Sequence, residues 1–98
     1  MADTLSSWIA KFLEYLRFQK NASPHTVRNY ESDLGQFYAF LTTTPEGNPR
    51  PAPDPAQIDN LTIREFLGSL YRRANKKSSA ARKLAALRSF MKFLCLQI

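Results

Sequence analysis

The chain has 98 residues, 44% of them hydrophobic, and a formal net charge of +6. That length holds one domain, whose folding buries roughly 60–70% of the unfolded chain's surface, so there is room for a single modest core and none for a second domain. Aromatic and leucine residues spread along the chain exclude a disordered polyelectrolyte, and no apolar run approaches the ~20 residues of a membrane span. Nor does Met1-Ala2-Asp3-Thr4-Leu5 have the basic-then-apolar order of a secretory signal. The single cysteine, Cys95, rules out an internal disulfide and fits a cytoplasmic protein. Its apolar surroundings predict a small buried hydrophobe.

The charge is unevenly distributed. Through Leu61 there are five basic residues against seven acidic, a net of −2; from Thr62 on there are nine against Glu65 alone, a net of +8. A positive field confined to the C-terminal third suits a polyanion such as nucleic acid, although a basic face for an acidic partner protein is the alternative.

Apolar residues Leu5, Trp8, Ile9, Phe12, Leu13 and Leu16 recur at helical spacing and predict a first amphipathic helix from about Thr4 to Gln19, capped by Asp3 or Thr4. Asn21 tolerates the left-handed backbone of a helix stop. Ser23 then caps a second helix, with Pro24 at its first position, where a missing N–H costs nothing. Val27, Tyr30, Leu34, Phe37 and Leu41 form its buried stripe and carry it to Thr42 or Thr43, leaving Asn21, His25, Arg28, Asn29 and Ser32 as a polar, partly basic face. Gly35 lies within it, and Asp33 reads as a surface charge or a partner for a nearby cation.

Thr44 to Pro55 holds five prolines and predicts an extended, polyproline-like loop. Thr62 and Glu65 have the spacing of a capping box at the head of a third helix, whose stripe is Ile63, Phe66, Leu67, Leu70 and Tyr71. After the basic run Arg72 to Lys77, Ser78 or Ser79 caps a fourth helix with Ala80, Leu84, Leu87, Phe90, Met91, Leu94 and Ile98 on its apolar face. Ser79, Arg82, Ala86 and Ser89 stand opposite, with Lys83 at the border. Nothing alternates with period two, so the predicted fold is all-α: a four-helix bundle of two helical hairpins with a long Pro-rich loop between helices 2 and 3.

No catalytic or metal constellation is expected. One His and one Cys far apart supply no metal site, three isolated glycines supply no nucleotide loop, and no cofactor is implied. The positive chemistry is a pair of serine-capped helix starts, at helices 2 and 4, each beside cations and each suited to phosphate. If those starts lie side by side, Arg28, Lys76, Lys77, Arg82 and Lys83 reach DNA phosphates, while Asn21, Ser23, His25, Thr26, Asn29 and Ser79 lie near phosphates or base edges.

Two stretches carry a family resemblance. Lys20-Asn21-Ala22-Ser23-Pro24-His25-Thr26, followed by Tyr30, Asp33-Leu34, Phe37 and Phe40-Leu41, resembles the K-x-x-S-x-x-T-x-x-x-Y-x-x-D-L-x-x-F-x-x-F-L signature of the N-terminal, SAM-like core-binding domain of tyrosine recombinases. Ser78 to Leu94 resembles its last helix, A-R-x-L-S-A-L-R-x-F-Y-x-F-L, with Ala86 where serine is common. Both favour the Xer branch (XerC/XerD-like). The resemblance implies that residues 1–98 are one core-binding domain, that helices 2 and 4 enter the major groove of a recombination half-site, and that the catalytic domain is absent from this chain. It also implies pairing of the full-length protein with itself or a sister recombinase in chromosome dimer resolution or integration. His25 and Arg28 imitate a catalytic H-x-x-R box but fall inside the core-binding signature, so they read as contact residues.

Overall fold

The computed structural model describes residues 4–72 and 77–97. The hydroxyl of Thr4 accepts the Ser7 N–H at 3.1 Å and opens helix α1, Leu5–Phe18. Leu5, Phe12 and Leu16 are buried, and Trp8, Ile9 and Leu13 pack partly against the same core, as their spacing predicts. At the far end the Ala22 N–H donates to the Leu16 carbonyl at 2.9 Å, and Asn21 takes φ 53°. That left-handed conformation is one asparagine tolerates, and it turns the chain at once into the next helix.

Helix α2 spans Pro24–Leu41. Val27, Asp33, Leu34, Phe37 and Leu41 are buried, so its inner face includes a carboxylate expected on the surface or near a cation. Gly35 is on the outside, with open space where a Cβ would stand.

The proline-rich connection is more folded than a polyproline-like loop. Thr43 and Pro49 form an isolated antiparallel bridge around a turn in which the Gly47 N–H donates to the Thr44 carbonyl at 2.9 Å. Gly47 has φ 88°, a conformation only glycine adopts without strain. Asp54 and Gln57 make a reciprocal capping box around a short 3₁₀ turn, Pro55–Gln57, and Pro55 and Ile58 are buried. Arg50 reaches back to the end of α2: its Nε donates to the Leu41 carbonyl at 2.9 Å and its Nη2 to the Phe40 carbonyl at 3.4 Å. The last turn of α2 has no basic residue of its own, so Arg50 supplies both donors and the cation that a helix C-terminus favours.

Helix α3 spans Asn60–Arg72 and begins two residues before the expected cap. Asp59, not Thr62, occupies that role: its Oδ1 accepts both the Thr62 N–H at 2.9 Å and the Thr62 hydroxyl at 2.8 Å. These bonds hold the Asp59 carboxyl below its ordinary pKa. Phe66 and Leu70 are buried and Ile63 and Leu67 partly so, whereas Tyr71 is exposed.

Helix α4 spans Lys77–Gln97, so Ser78 and Ser79 lie inside it and do not cap it. Its buried face is Ala80, Lys83, Ala86, Leu87, Phe90, Phe93 and Leu94. Leu84 and Met91, expected in the centre, are at the margin, and Ala86, expected opposite, is inside. The face is therefore rotated from the predicted one, because Lys83, a charged residue, sits on the axis of burial. Ile98 lies outside the described residues. Cys95 is exposed, so it is not the buried hydrophobe its neighbours suggested.

In a body of 38 × 35 × 20 Å, α1 packs against α2 and α3 against α4, and α4 also packs on α1 and α2. Phe12 is the hub of one end: its ring lies 5.7 Å from Tyr30, 5.5 Å from Phe90 and 5.3 Å from Phe93. Phe66 anchors the other, 5.2 Å from Phe37 and 5.4 Å from Phe40. Each such ring contributes about 1.5–3 kcal/mol by burial alone. No helix among the described residues is long and apolar enough to cross a membrane.

Candidate nucleic-acid interface

The start of α2 is built by Ser23. Its Oγ accepts the Thr26 N–H at 3.2 Å and donates to the Thr26 hydroxyl at 3.0 Å, while the Val27 N–H returns to the Ser23 carbonyl at 3.0 Å. Pro24 has no N–H. This first turn is therefore largely satisfied from within. Asn21, Ser23, His25 and Arg28 have exposed side chains; Thr26 and Asn29 are half-buried. Arg28 borders a shallow groove of about 580 Å³ on the outer side of α2, lined also by Glu31, Ser32, Gly35, Gln36 and Ala39.

On α4 the expected residues divide. Lys76 and the side chain of Lys77 lie outside the described residues. Ser79 is half-buried and Arg82 is exposed. Lys83 is corrected: it is 4% exposed, and its Nζ lies 3.4 Å from Asp33 Oδ1, so its ammonium points into the protein and not toward a phosphate. Arg82 shares that carboxylate, Nε to Oδ2 at 3.2 Å and Nη2 to Oδ1 at 3.0 Å. The cluster has one negative and two positive charges. Its net positive charge resides on Arg82, whose side chain is 53% exposed.

This junction lies at neither helix start. It joins the second turn of α4 to the third turn of α2, so the start of α2 is about 13 Å away along its own axis at 1.5 Å per residue. What the fold brings together is the middle of α2 and the beginning of α4. Outside it, Arg64 and Arg72 on α3 and Arg88 and Lys92 on α4 are also exposed.

Asp33 is the residue that sequence reasoning undervalued. Its position was the available signal: it lies three residues after Tyr30 and four before Phe37, in phase with the buried stripe. A carboxylate in that phase needs a cation inside the protein. Lys83, three after Ala80 and four before Leu87, is in the same situation on α4.

The chain is basic, and its described elements are α1 to α4 with one short 3₁₀ turn. The family model for the phage integrase N-terminal SAM-like domain matches residues 9–97, and the chain belongs to that family. Its curated relatives include the tyrosine recombinase XerC of Halalkalibacterium halodurans, 39% identical over 87 residues, or 89% of this chain and 27% of that protein. Similar relatives are XerC of Syntrophus aciditrophicus, 42% identical over 88% of this chain and 28% of that protein, and XerC of Oceanobacillus iheyensis, 42% identical over 92% and 28%. The Xer branch of the tyrosine recombinases, to which the two motifs pointed, is thus supported across nearly the whole chain. The chain spans little more than a quarter of the length of these relatives, 27% and 28%. No solved structure matches it significantly.

Proposed function

We propose that this chain is the duplex-DNA-binding domain of a Xer-type site-specific recombinase, one half of a clamp whose strand-cleaving chemistry belongs to a separate catalytic domain. The observation that carries the reading is the placement of the basic surface. The positive charge of the chain is concentrated after Thr62, and Arg64, Arg72, Arg82, Arg88 and Lys92 in that stretch are exposed. In this reading Arg28, Arg82 and Arg88, with Lys76 and Lys77, meet phosphates, and Asn21, Ser23, His25, Thr26, Asn29 and Ser79 line the approach to base edges. Lys83 has no contact with DNA. The full-length protein pairs with itself or a sister recombinase at a recombination site, and its work is chromosome dimer resolution or integration in the cytoplasm.

Fluorescence anisotropy with a half-site-length duplex across a salt series is the test. About six phosphate contacts give a slope of log affinity against log salt of roughly −5. Binding indifferent to salt, or none at all, removes this reading and leaves the basic face to an acidic protein partner.

A further inference from the structure

The Asp33–Arg82–Lys83 cluster has more parts than a link between two helices needs. Asp33 is 2% exposed and Lys83 4%, while Arg82 stands at the surface. Replacing buried ion pairs by apolar residues is often neutral or stabilising, so stability alone is a weak reason for this arrangement. The geometry of Arg82 is more specific. Two of its five N–H groups, on Nε and Nη2, are held by the carboxylate. The adjacent end edge, Nη1 and the outer N–H of Nη2, remains as a planar fork of two parallel donors on a side chain that is 53% exposed.

We propose that Asp33 is a positioning residue for Arg82: it fixes the guanidinium so that the free edge meets two adjacent acceptors on DNA, and Lys83 cancels the carboxylate's charge from inside. The inference rests on the DNA-binding reading above. Two acceptors at this spacing occur as phosphate oxygens and as O6 and N7 of guanine. An unsupported arginine loses its rotamer freedom when it binds; one held by Asp33 has lost it on folding, which lowers the cost of contact. Without Lys83 the carboxylate would cancel the arginine's charge. With it, Arg82 keeps a full positive charge toward the ligand.

The test is a charge-neutral double substitution, Asp33→Asn with Lys83→Met. It removes one charge of each sign, so the long-range field on DNA is unchanged and a change in affinity reports orientation. Circular dichroism and melting confirm that the helices persist. With random-sequence duplex, Arg82→Ala weakens binding about tenfold and reduces the salt slope by about 1. The double variant weakens it about three- to fivefold with the slope unchanged, and adding Arg82→Ala to it costs less than in the wild-type chain. A preference among duplexes of different sequence that disappears in Arg82→Ala assigns the acceptors to guanine; a uniform loss assigns them to phosphate.

A double variant that binds as well as wild type, or better, overturns the positioning role, since the carboxylate then does nothing for Arg82 or competes with DNA for it. Arg82→Ala binding like wild type overturns this inference alone. A wild-type chain that binds no duplex overturns the underlying reading. Where the double variant unfolds, Arg82→Lys decides: the lysine keeps the charge but cannot bridge carboxylate and ligand, so binding weakens about tenfold with the salt slope retained, and wild-type affinity refutes the proposal.

Discussion

Asp33 on α2 and Arg82 on α4 are 49 residues apart in the chain and joined by two hydrogen bonds, Nε to Oδ2 at 3.2 Å and Nη2 to Oδ1 at 3.0 Å. Asp33 belongs to the first sequence motif and Arg82 to the second, so the two stretches that identify the family meet at one buried carboxylate. Lys83 makes the same carboxylate indispensable. Asp33→Ala leaves the Lys83 ammonium buried without its counter-charge and is expected to destabilise the fold by about 3–5 kcal/mol. Urea unfolding measures this, and removing Lys83 in the same chain recovers most of the loss.

Phe12 and Phe18 are both aromatic residues of α1 with opposite fates. Phe12 touches rings from α2 and α4 and is 1% exposed; Phe18 is 74% exposed. Phe12→Ala should cost about 3–5 kcal/mol through lost burial and the cavity left behind. Phe18→Ala should stay within about 0.5 kcal/mol of wild type. Equal effects in denaturant titrations contradict the packing described.

Gly35 has a helical backbone and open space on the side where a methyl group would project, so nothing opposes a side chain there. Gly35→Ala is expected to raise stability by about 0.5–1 kcal/mol, read as a shift in the urea midpoint with an unchanged slope. It also narrows the groove on the outer face of α2, which makes its effect on duplex binding a second, independent measurement.

Arg50 closes the end of α2 from across the loop. Arg50→Ala should cost about 1 kcal/mol, from the helix-end charge and the lost donors to the Phe40 and Leu41 carbonyls. Hydrogen exchange should quicken around Thr42 and the turn at Gly47, while α1 is unaffected.

Asp59 sets a pH dependence. Its carboxyl is held below the ordinary value of 3.8 chiefly by the Thr62 N–H and hydroxyl. A depressed folded-state pKa means that its contribution is present above the unfolded value and lost as pH falls through the folded one. The Thr62 amide should therefore lose protection only as the pH falls below the ordinary carboxylate value of 3.8. In Asp59→Ala that protection should already be weak at neutral pH and show no such step.

The helices themselves were legible in the chain because each has a local cause: Thr4 and Ser23 as caps, Pro24 at a first turn, Asn21 as a stop, and apolar stripes at helical spacing. The family was legible for the same reason, since its motifs are contiguous. Expectation and structure part where a residue's role depends on partners distant in sequence. Lys83 and Arg82 are neighbours with the same charge, yet one is buried and one exposed: Lys83 is in phase with Ala80 and Leu87, and Asp33 on another helix supplies the counter-charge it needs there. That one carboxylate rotates the buried face of α4, takes Lys83 away from any ligand and holds Arg82 at the surface. Periodicity determines which residues share a face; which charges that face can accept is decided by the counter-charges the tertiary fold places opposite, because an ion leaves water only where another is waiting.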